Sequence, residues 1–314
     1  MPLLLSEADI RGVLPMPDLI ASMESALGAF SRREVEQPVR TVLDVHGNFF
    51  GSMPAYLPGT PALGTKLVSV FHENASKGLT THLATILLFS PETGALEAIL
   101  DGRFITEART AAVSAVSAKF LGREDSMVLA IIGSGVQAQS HLEALRCVRA
   151  FQSVRIWSPR NSVAFALAHK IHAAESAEAA IRGADVIVLA TSSKTPVIEA
   201  GWVKPGAHVI SVGACRPTER ELDPALLAAS AIYVDSRDAA MKESGDIVMG
   251  IREGHFSSQR IRGELGEVAC GRAESRRNAS EITVFKSLGL AVEDVAAAHL
   301  ALERAKKRGR GTCV

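Results

Sequence analysis

The sequence predicts an α/β protein in which a doubly wound parallel sheet is joined to an α+β domain built on an antiparallel sheet. Three observations carry this reading. Continuous apolar runs alternate with alanine-rich helical stretches from Met127 onward, as in a parallel sheet covered by helices. Short β runs broken by turn signals fill the stretch from Val39 to Leu100, as in an antiparallel meander. A glycine turn, Gly133-Ser134-Gly135, stands between an apolar run and a helical pattern.

The elements follow in order. Ser6-Glu7-Ala8-Asp9 resembles a capping box and opens a short first helix. Pro17-Asp18 opens a second, with Leu19, Met23, Leu27 and Phe30 on one face. In the meander, Gly47-Asn48 and Pro91-Glu92-Thr93-Gly94 are the turn signals. Helical spacing returns from Phe104 to Phe120. Val128 to Ile132 reads as a strand buried on both faces, and Val154–Trp157, Val186–Ala190, Val209–Val212 and Ile232–Val234 read likewise. The stretch between His169 and Ser176 is short, so one strand there is reduced or missing. A last helix runs from Val292 to Lys306.

Bulk properties narrow the function classes. A length of 314 residues suits two domains, and 47% hydrophobic with 22% charged residues is a globular composition. Lys+Arg and Asp+Glu both number 34, so the zero net charge favours neither nucleic acid nor an anionic membrane as partner. The basic tail Lys306-Lys307-Arg308-Gly309-Arg310 reads as a solvated terminus. Cys147, Cys215, Cys270 and Cys313 form no CxxC pair, so no metal site or disulfide framework is expected and a reducing compartment fits. The N-terminus lacks a basic segment and a long apolar run, and no window approaches the ~18 apolar residues of a membrane span. A cytoplasmic protein is expected.

Gly133-Ser134-Gly135-Val136-Gln137-Ala138 has the GxGxxA form. The first glycine permits the tight turn, the second lets the backbone approach a pyrophosphate, and the small last residue lets helix and strand pack closely. The helix N-terminus then offers free N–H groups to phosphate. This setting predicts a Rossmann-type dinucleotide domain. NAD-binding chains place Asp or Glu at the end of the second strand. Here that strand ends in Ser158-Pro159-Arg160-Asn161, with no carboxylate. Ser158 and Arg160 therefore point to NADPH, with Arg160 meeting a 2′-phosphate, and NADH stays open. The bland alternative for Arg160 is an ordinary surface arginine.

Two cations sit where the pattern expects apolar residues. Lys66 shares a strand face with Val68 and Val70, and Arg109 lies in line with Ile105, Ala112, Val113 and Val116. A buried cation is costly unless paired. A small anionic substrate is one partner; a structural pair with Glu73, Glu107 or Asp101, or a side chain that snorkels out, is the other reading. Arg40 shares a less apolar face with Val42 and Asp44.

With these residues in view, the chain resembles the ornithine cyclodeaminase/μ-crystallin family along nearly its whole length. The segments that carry the likeness include Gln37-Pro38-Val39-Arg40-Thr41, Met53-Pro54-Ala55-Tyr56, Thr65-Lys66-Leu67-Val68 and Arg109-Thr110-Ala111-Ala112. Further on they are Gly135-Val136-Gln137, Val203-Lys204-Pro205-Gly206-Ala207, Lys242-Glu243-Ser244-Gly245-Asp246 and Val284-Phe285-Lys286-Ser287-Leu288-Gly289. The resemblance implies that Arg40, Lys66 and Arg109 surround a substrate carboxylate, with Met53 at the same site. It implies that Gly135, Val136 and Gln137 contact the pyrophosphate and that Thr191, Val212 and Leu288 lie near the cofactor. It also implies a homodimer formed through the antiparallel domain, to which the last helix returns. The expected domains are residues 1–118 with 293–314, for substrate and dimerisation, and residues 119–292 for the dinucleotide.

Two positions depart from the family pattern. Cyclodeaminases and related alanine dehydrogenases carry an aspartate where this chain has Cys215, and a thiol is a poor base at neutral pH. The plain alternative for Cys215 is a small packing residue. The μ-crystallin branch carries its arginine one place earlier than Arg160. The resemblance then implies NADPH-dependent reduction of a cyclic ketimine, with Lys66, Arg109 and Cys215 as catalytic candidates. A cyclodeaminase or alanine dehydrogenase, and a non-catalytic crystallin-like binder of NADPH or thyroid hormone, are the alternatives.

Overall fold

The computed structural model describes the backbone of residues 1–314 and every side chain except those of His72 and Ala75. The chain divides into two units, Met1–Arg109 with Gly289–Val314, and Thr110–Leu288.

The first unit begins with β1 (Leu3–Leu5) and α1 (Glu7–Val13). The capping box is present: the Asp9 amide donates to Ser6 Oγ while the Ser6 amide donates to the Asp9 carboxylate. Helix α2 (Met16–Ser31) buries Leu19, Met23 and Leu27, whereas Phe30 is only half-buried. The meander follows as β2 (Thr41–Val45), β3 (Asn48–Leu57), β4 (Ala62–Val70), β5 (His82–Phe89) and β6 (Leu96–Asp101), each antiparallel to the next. The first hairpin turns on His46-Gly47, one residue before the expected pair, because Asn48 already pairs with Val45. His46 and Gly47 have φ of 53° and 79°, the doubly positive geometry that matches strand twist in a two-residue hairpin.

Helix α3 (Gly102–Leu121) contributes to both units. The division falls after Arg109 rather than at 118, because the later part of α3 bonds to the parallel-sheet unit through Ser114–His141 and Ser117–His208. The second unit continues with β7 (Val128–Ile132), α4 (Val136–Val148), β8 (Ser153–Trp157), α5 (Ser162–His169), β9 (His172–Ala173), α6 (Ala177–Ile181) and β10 (Val186–Leu189). Then come β11 (His208–Ser211), α7 (Pro224–Ala229), β12 (Ala231–Val234), α8 (Arg237–Glu243), α9 (Gly245–Arg252), β13 (Ile261–Glu264), α10 (Leu265–Ala269) and β14 (Thr283–Lys286). The strands lie in the order β13-β12-β14-β11-β10-β7-β8-β9, every pair parallel. This is the doubly wound sheet the sequence predicts, with the chain reversing direction beside β7. Strand β9 is the reduced strand, two residues long. Strands β10, β11, β12 and β14 are buried at every residue, which is why β10 and β12 are apolar without alternation, while the polar ends of β11 and β14 are hydrogen-bonded inside the fold.

The chain returns to the first unit with α11 (Ala291–Arg308) and β15 (Thr312–Cys313). The return begins at Gly289, earlier than 293, since Arg40 Nη2 donates to the Gly289 carbonyl and the Val292 amide to Gln37 Oε1. Helix α11 packs on β3, β4 and β5 and against α1 and α2. The sheet order is β15-β1-β6-β5-β4-β3-β2, with β1 parallel to β6. Among the described residues, no helix is long and apolar enough to cross a membrane.

Candidate active site

The candidate cofactor cradle is built by backbone. Gly133, just after β7, has φ of 115°, and a Cβ there would overlap the Ala190 carbonyl oxygen, so only glycine fits. Its amide donates to the Trp157 carbonyl at 2.9 Å, tying the turn to the end of β8. Gly135 caps α4 without any side-chain hydrogen bond, and nothing lies within 4 Å of where its Cβ would be. The helix therefore presents uncapped N–H groups and its positive end to open space. Ala138 is fully buried against the strand, and Val136 is 54% exposed. The Gln137 side chain ends in a buried amide oxygen with no hydrogen-bond partner among the described residues. A pyrophosphate fits this cradle.

The loops at the carboxyl ends of the strands carry the other expected cofactor contacts, where ligands bind in open α/β sheets. Ser158 follows β8 and donates its hydroxyl to Ser134 Oγ at 2.8 Å, while Arg160 is exposed two residues on. Thr191 follows β10, Val212 follows β11 and Leu288 follows β14. A buried network invisible to the sequence reading pins these loops. Glu221 accepts Thr191 Oγ1 at 3.0 Å, Ser211 Oγ at 2.8 Å and the Gly213 amide at 2.6 Å. Beneath it, Lys286 Nζ donates to Ser211 Oγ at 3.1 Å and lies 3.2 Å from Asp246 Oδ2. Burial pushes the Glu221 carboxyl up, and Lys286 partly opposes this. Burial opposes the Lys286 ammonium, yet Asp246 and its neighbours hold it above the ordinary lysine range. The Leu288 amide donates to Asp235 Oδ2 at 2.5 Å. Cys215 is exposed, its thiol 3.6 Å from the Val212 carbonyl.

The cations gather in the first unit. Strand register sets Met53 opposite Lys66 and Lys66 opposite Ile86, and puts Arg40, one residue before β2, at the end of the same row. The row's face is the one α11 covers, so Met53 and Lys66 are only 3% and 2% exposed. Arg109 arrives from α3, 5% exposed. The expected structural partners are not the ones found. Glu107 meets Arg103 at 3.0 Å, and Asp101 accepts the Arg103 amide at the start of α3. Instead, Arg109 donates Nε to Asp294 Oδ1 at 2.9 Å and Nη1 to Glu293 Oε2 at 2.7 Å. Lys66 Nζ lies 2.6 Å from Asp294 Oδ2.

Burial pushes the Lys66 pKa down to about 8, with Asp294 pulling it up and Arg109 and Arg40 pushing it further down. Burial works against the Asp294 carboxylate, yet Arg109 and Lys66 hold it below the usual range. His82, opposite Val70 and thus on the same face, is pushed down to about 4 by burial and by Lys66 and Arg109. It is a neutral imidazole. Glu293, Asp294 and His82 were missed from sequence. Applied to α11, the test that flagged Lys66 would have found the acids, since Glu293 and Asp294 sit among Ala291, Val292, Val295 and Ala296. Chemically, this unit offers guanidinium groups for a carboxylate and one ammonium that titrates near neutrality.

A family model for the ornithine cyclodeaminase/mu-crystallin family matches residues 1–309. The chain belongs to that family. Compared with ketimine reductase mu-crystallin of Rattus norvegicus, it is 45% identical over 291 residues, 90% of each chain. The structure of Thermococcus litoralis Δ1-pyrroline-2-carboxylate reductase in complex with NADH and L-proline has a TM-score of 0.94 and 39% identity, covering 99% of this chain and 100% of that one. An archaeal alanine dehydrogenase dimer with bound NAD also has a TM-score of 0.94, at 33% identity over 100% of this chain and 98% of that one. The glycine turn lies in the parallel-sheet unit. The cationic row belongs to the companion unit.

Proposed function

We propose that the protein is an NAD(P)H-dependent reductase of small cyclic imino acids, such as Δ1-pyrroline-2-carboxylate or Δ1-piperideine-2-carboxylate, forming the cyclic amino acid. The observation that carries this is Lys66, a buried ammonium with a pKa near 8 beside Arg109 and Arg40. Arg109 and Arg40 grip the substrate carboxylate, with Met53 as the apolar wall of the same row. Lys66 donates a proton to the imine nitrogen, which becomes the ring amine. When bound, a reduced nicotinamide would supply the hydride for the carbon bearing the carboxylate. Protonation makes that carbon the better acceptor, so holding the ammonium in place lowers the barrier electrostatically. Cys215 is the second candidate donor, on the unit that holds the cofactor.

Gly133, Gly135, Val136 and Gln137 hold the pyrophosphate, with Thr191, Val212 and Leu288 around the nicotinamide end. NADPH is the preferred reductant, supported by exposed Arg160, by half-buried Ser158 and by the absence of a carboxylate from Ser158 to Val163. The protein works as a homodimer in the cytoplasm. The dimer is supported by the exposed apolar residues Val39, Val42, Leu43 and Phe50 on and beside the edge strand, and the compartment by four free cysteines.

The test is NADPH and NADH oxidation with both cyclic imines, run beside NAD⁺ reduction with ornithine and alanine. Imine-dependent oxidation is expected. Turnover of ornithine or alanine without imine turnover overturns the reading in favour of a cyclodeaminase or dehydrogenase. Cofactor binding with no turnover overturns it in favour of a crystallin-like binder.

A further inference from the structure

We propose that Asp294 is the positioning residue of this reduction: one carboxylate holds both the proton donor Lys66 and the carboxylate grip Arg109. The inference rests on the reductase reading above for its functional meaning, but its physical core does not. Oδ2 lies 2.6 Å from Lys66 Nζ and Oδ1 accepts Arg109 Nε at 2.9 Å. Glu293 holds the other end of the Arg109 guanidinium, at 2.7 Å from Nη1. Asp294 is the carboxylate that bridges the two cations and so couples them.

The electrostatics require such a residue. Lys66 faces Arg109 from α3, Arg40 from the chain before β2, His82 from β5 and Asp294 from α11. The β3 neighbour, Met53, carries no charge. Two of these neighbours are guanidinium groups and the imidazole is neutral, so Asp294 is the group that favours a protonated Lys66. Without it, a fully buried amine between arginines gives up its proton to water at lower pH. A deprotonated Lys66 has no proton to donate. Asp294 is itself held firmly. It lies in the first turn of α11, where the helix end favours negative charge, and the Val292 amide of that turn is fastened to Gln37 Oε1 at 2.7 Å.

The test uses full-length protein labelled with ¹³Cε-lysine and titrated by NMR, without substrate. The Lys66 signal is assigned by its loss in Lys66→Met. In the wild type its midpoint is expected near 8. In Asp294→Asn the midpoint is expected to fall by at least ~1 pH unit, and the alkaline limb of kcat to move with it. Asp294→Glu is expected to bring the midpoint back towards the wild type while raising KM for the imino acid, because the longer side chain displaces Arg109. A folded Asp294→Asn with an unmoved midpoint overturns the proposal, even if its Tm falls. Should that variant not fold, an Asp294→Glu protein equal to wild type in both midpoint and KM overturns it. Failure of imine turnover in the wild type would instead overturn the reductase reading and leave the titration standing.

Discussion

Gly289 closes over Arg109: a Cβ built on Gly289 would lie 2.5 Å from Arg109 Nη1. The glycine also has φ of 83°, where an L side chain is strained by about 1–2 kcal/mol. Arg109 cannot swing aside cheaply, because Glu293 and Asp294 hold its Nη1 and Nε. Gly289→Ala is therefore expected to raise KM for the imino acid by about tenfold or more and to lower Tm by several degrees. Steady-state kinetics and calorimetry check this; unchanged KM would mean that Arg109 does not grip the substrate.

The two glycines of the turn between β7 and α4 fail in different ways. Gly133→Ala puts a methyl group into the Ala190 carbonyl at φ of 115°, so the fold itself suffers and Tm drops. Gly135→Ala meets no atom within 4 Å, so Tm without cofactor stays within about 1 °C of wild type. Its methyl group enters the space assigned to the pyrophosphate, and Kd for NADPH rises about tenfold or more, a loss of ~1.4 kcal/mol. Equal Tm losses in both variants would remove the distinction.

Arg160 is exposed beyond the end of β8. A charge-assisted contact to a 2′-phosphate is worth about 1–2 kcal/mol at such a position. Arg160→Ala is expected to weaken NADPH binding about tenfold and leave NADH within about twofold. Parallel fluorescence titrations read the ratio, and equal losses for both cofactors would assign Arg160 no part in the choice.

His141 and His208 predict a loss of stability in mild acid. Burial pushes them down to about 4 and about 3, below the ordinary 6.5. The unfolded chain therefore takes up protons first as pH falls. Their contribution is complete above about 6.5 and is lost as pH drops from there towards the folded values. Each costs about 1.4 kcal/mol per pH unit when fully engaged. Urea unfolding between pH 7 and 5 should show a slope of at least about 2 kcal/mol per unit, since His82, also pushed down to about 4, adds to the pair. A flat profile would show that both His141 and His208 take up protons in the fold as readily as in the unfolded chain.

The sequence carried the positions of the main strands and the site's cations, but not what pairs with what. The runs Val128–Ile132 and Val186–Leu189 were legible because burial on both faces removes polar residues. Strands β13, Ile-Arg-Gly-Glu, and β14, Thr-Val-Phe-Lys, escaped because they are short and carry charges that the fold pairs. Lys66 and Arg109 announced themselves as cations out of pattern. Their partners did not, because Glu293 and Asp294 stand 184 and 185 residues beyond Arg109 and look like ordinary acids in a first helical turn. The same distance problem hid the Glu221, Asp246 and Lys286 network, whose members come from three separate segments.

The insertion of Thr110–Leu288 between Arg109 and Gly289 imposes an order on biosynthesis. At about 5–20 residues per second, Asp294 leaves the ribosome roughly 10–40 s after Arg109. Through that interval the nascent Lys66 and Arg109 lack the carboxylates that make their burial tolerable, so their burial waits for α11. What is translated after the insertion is what makes the segment before it worth burying.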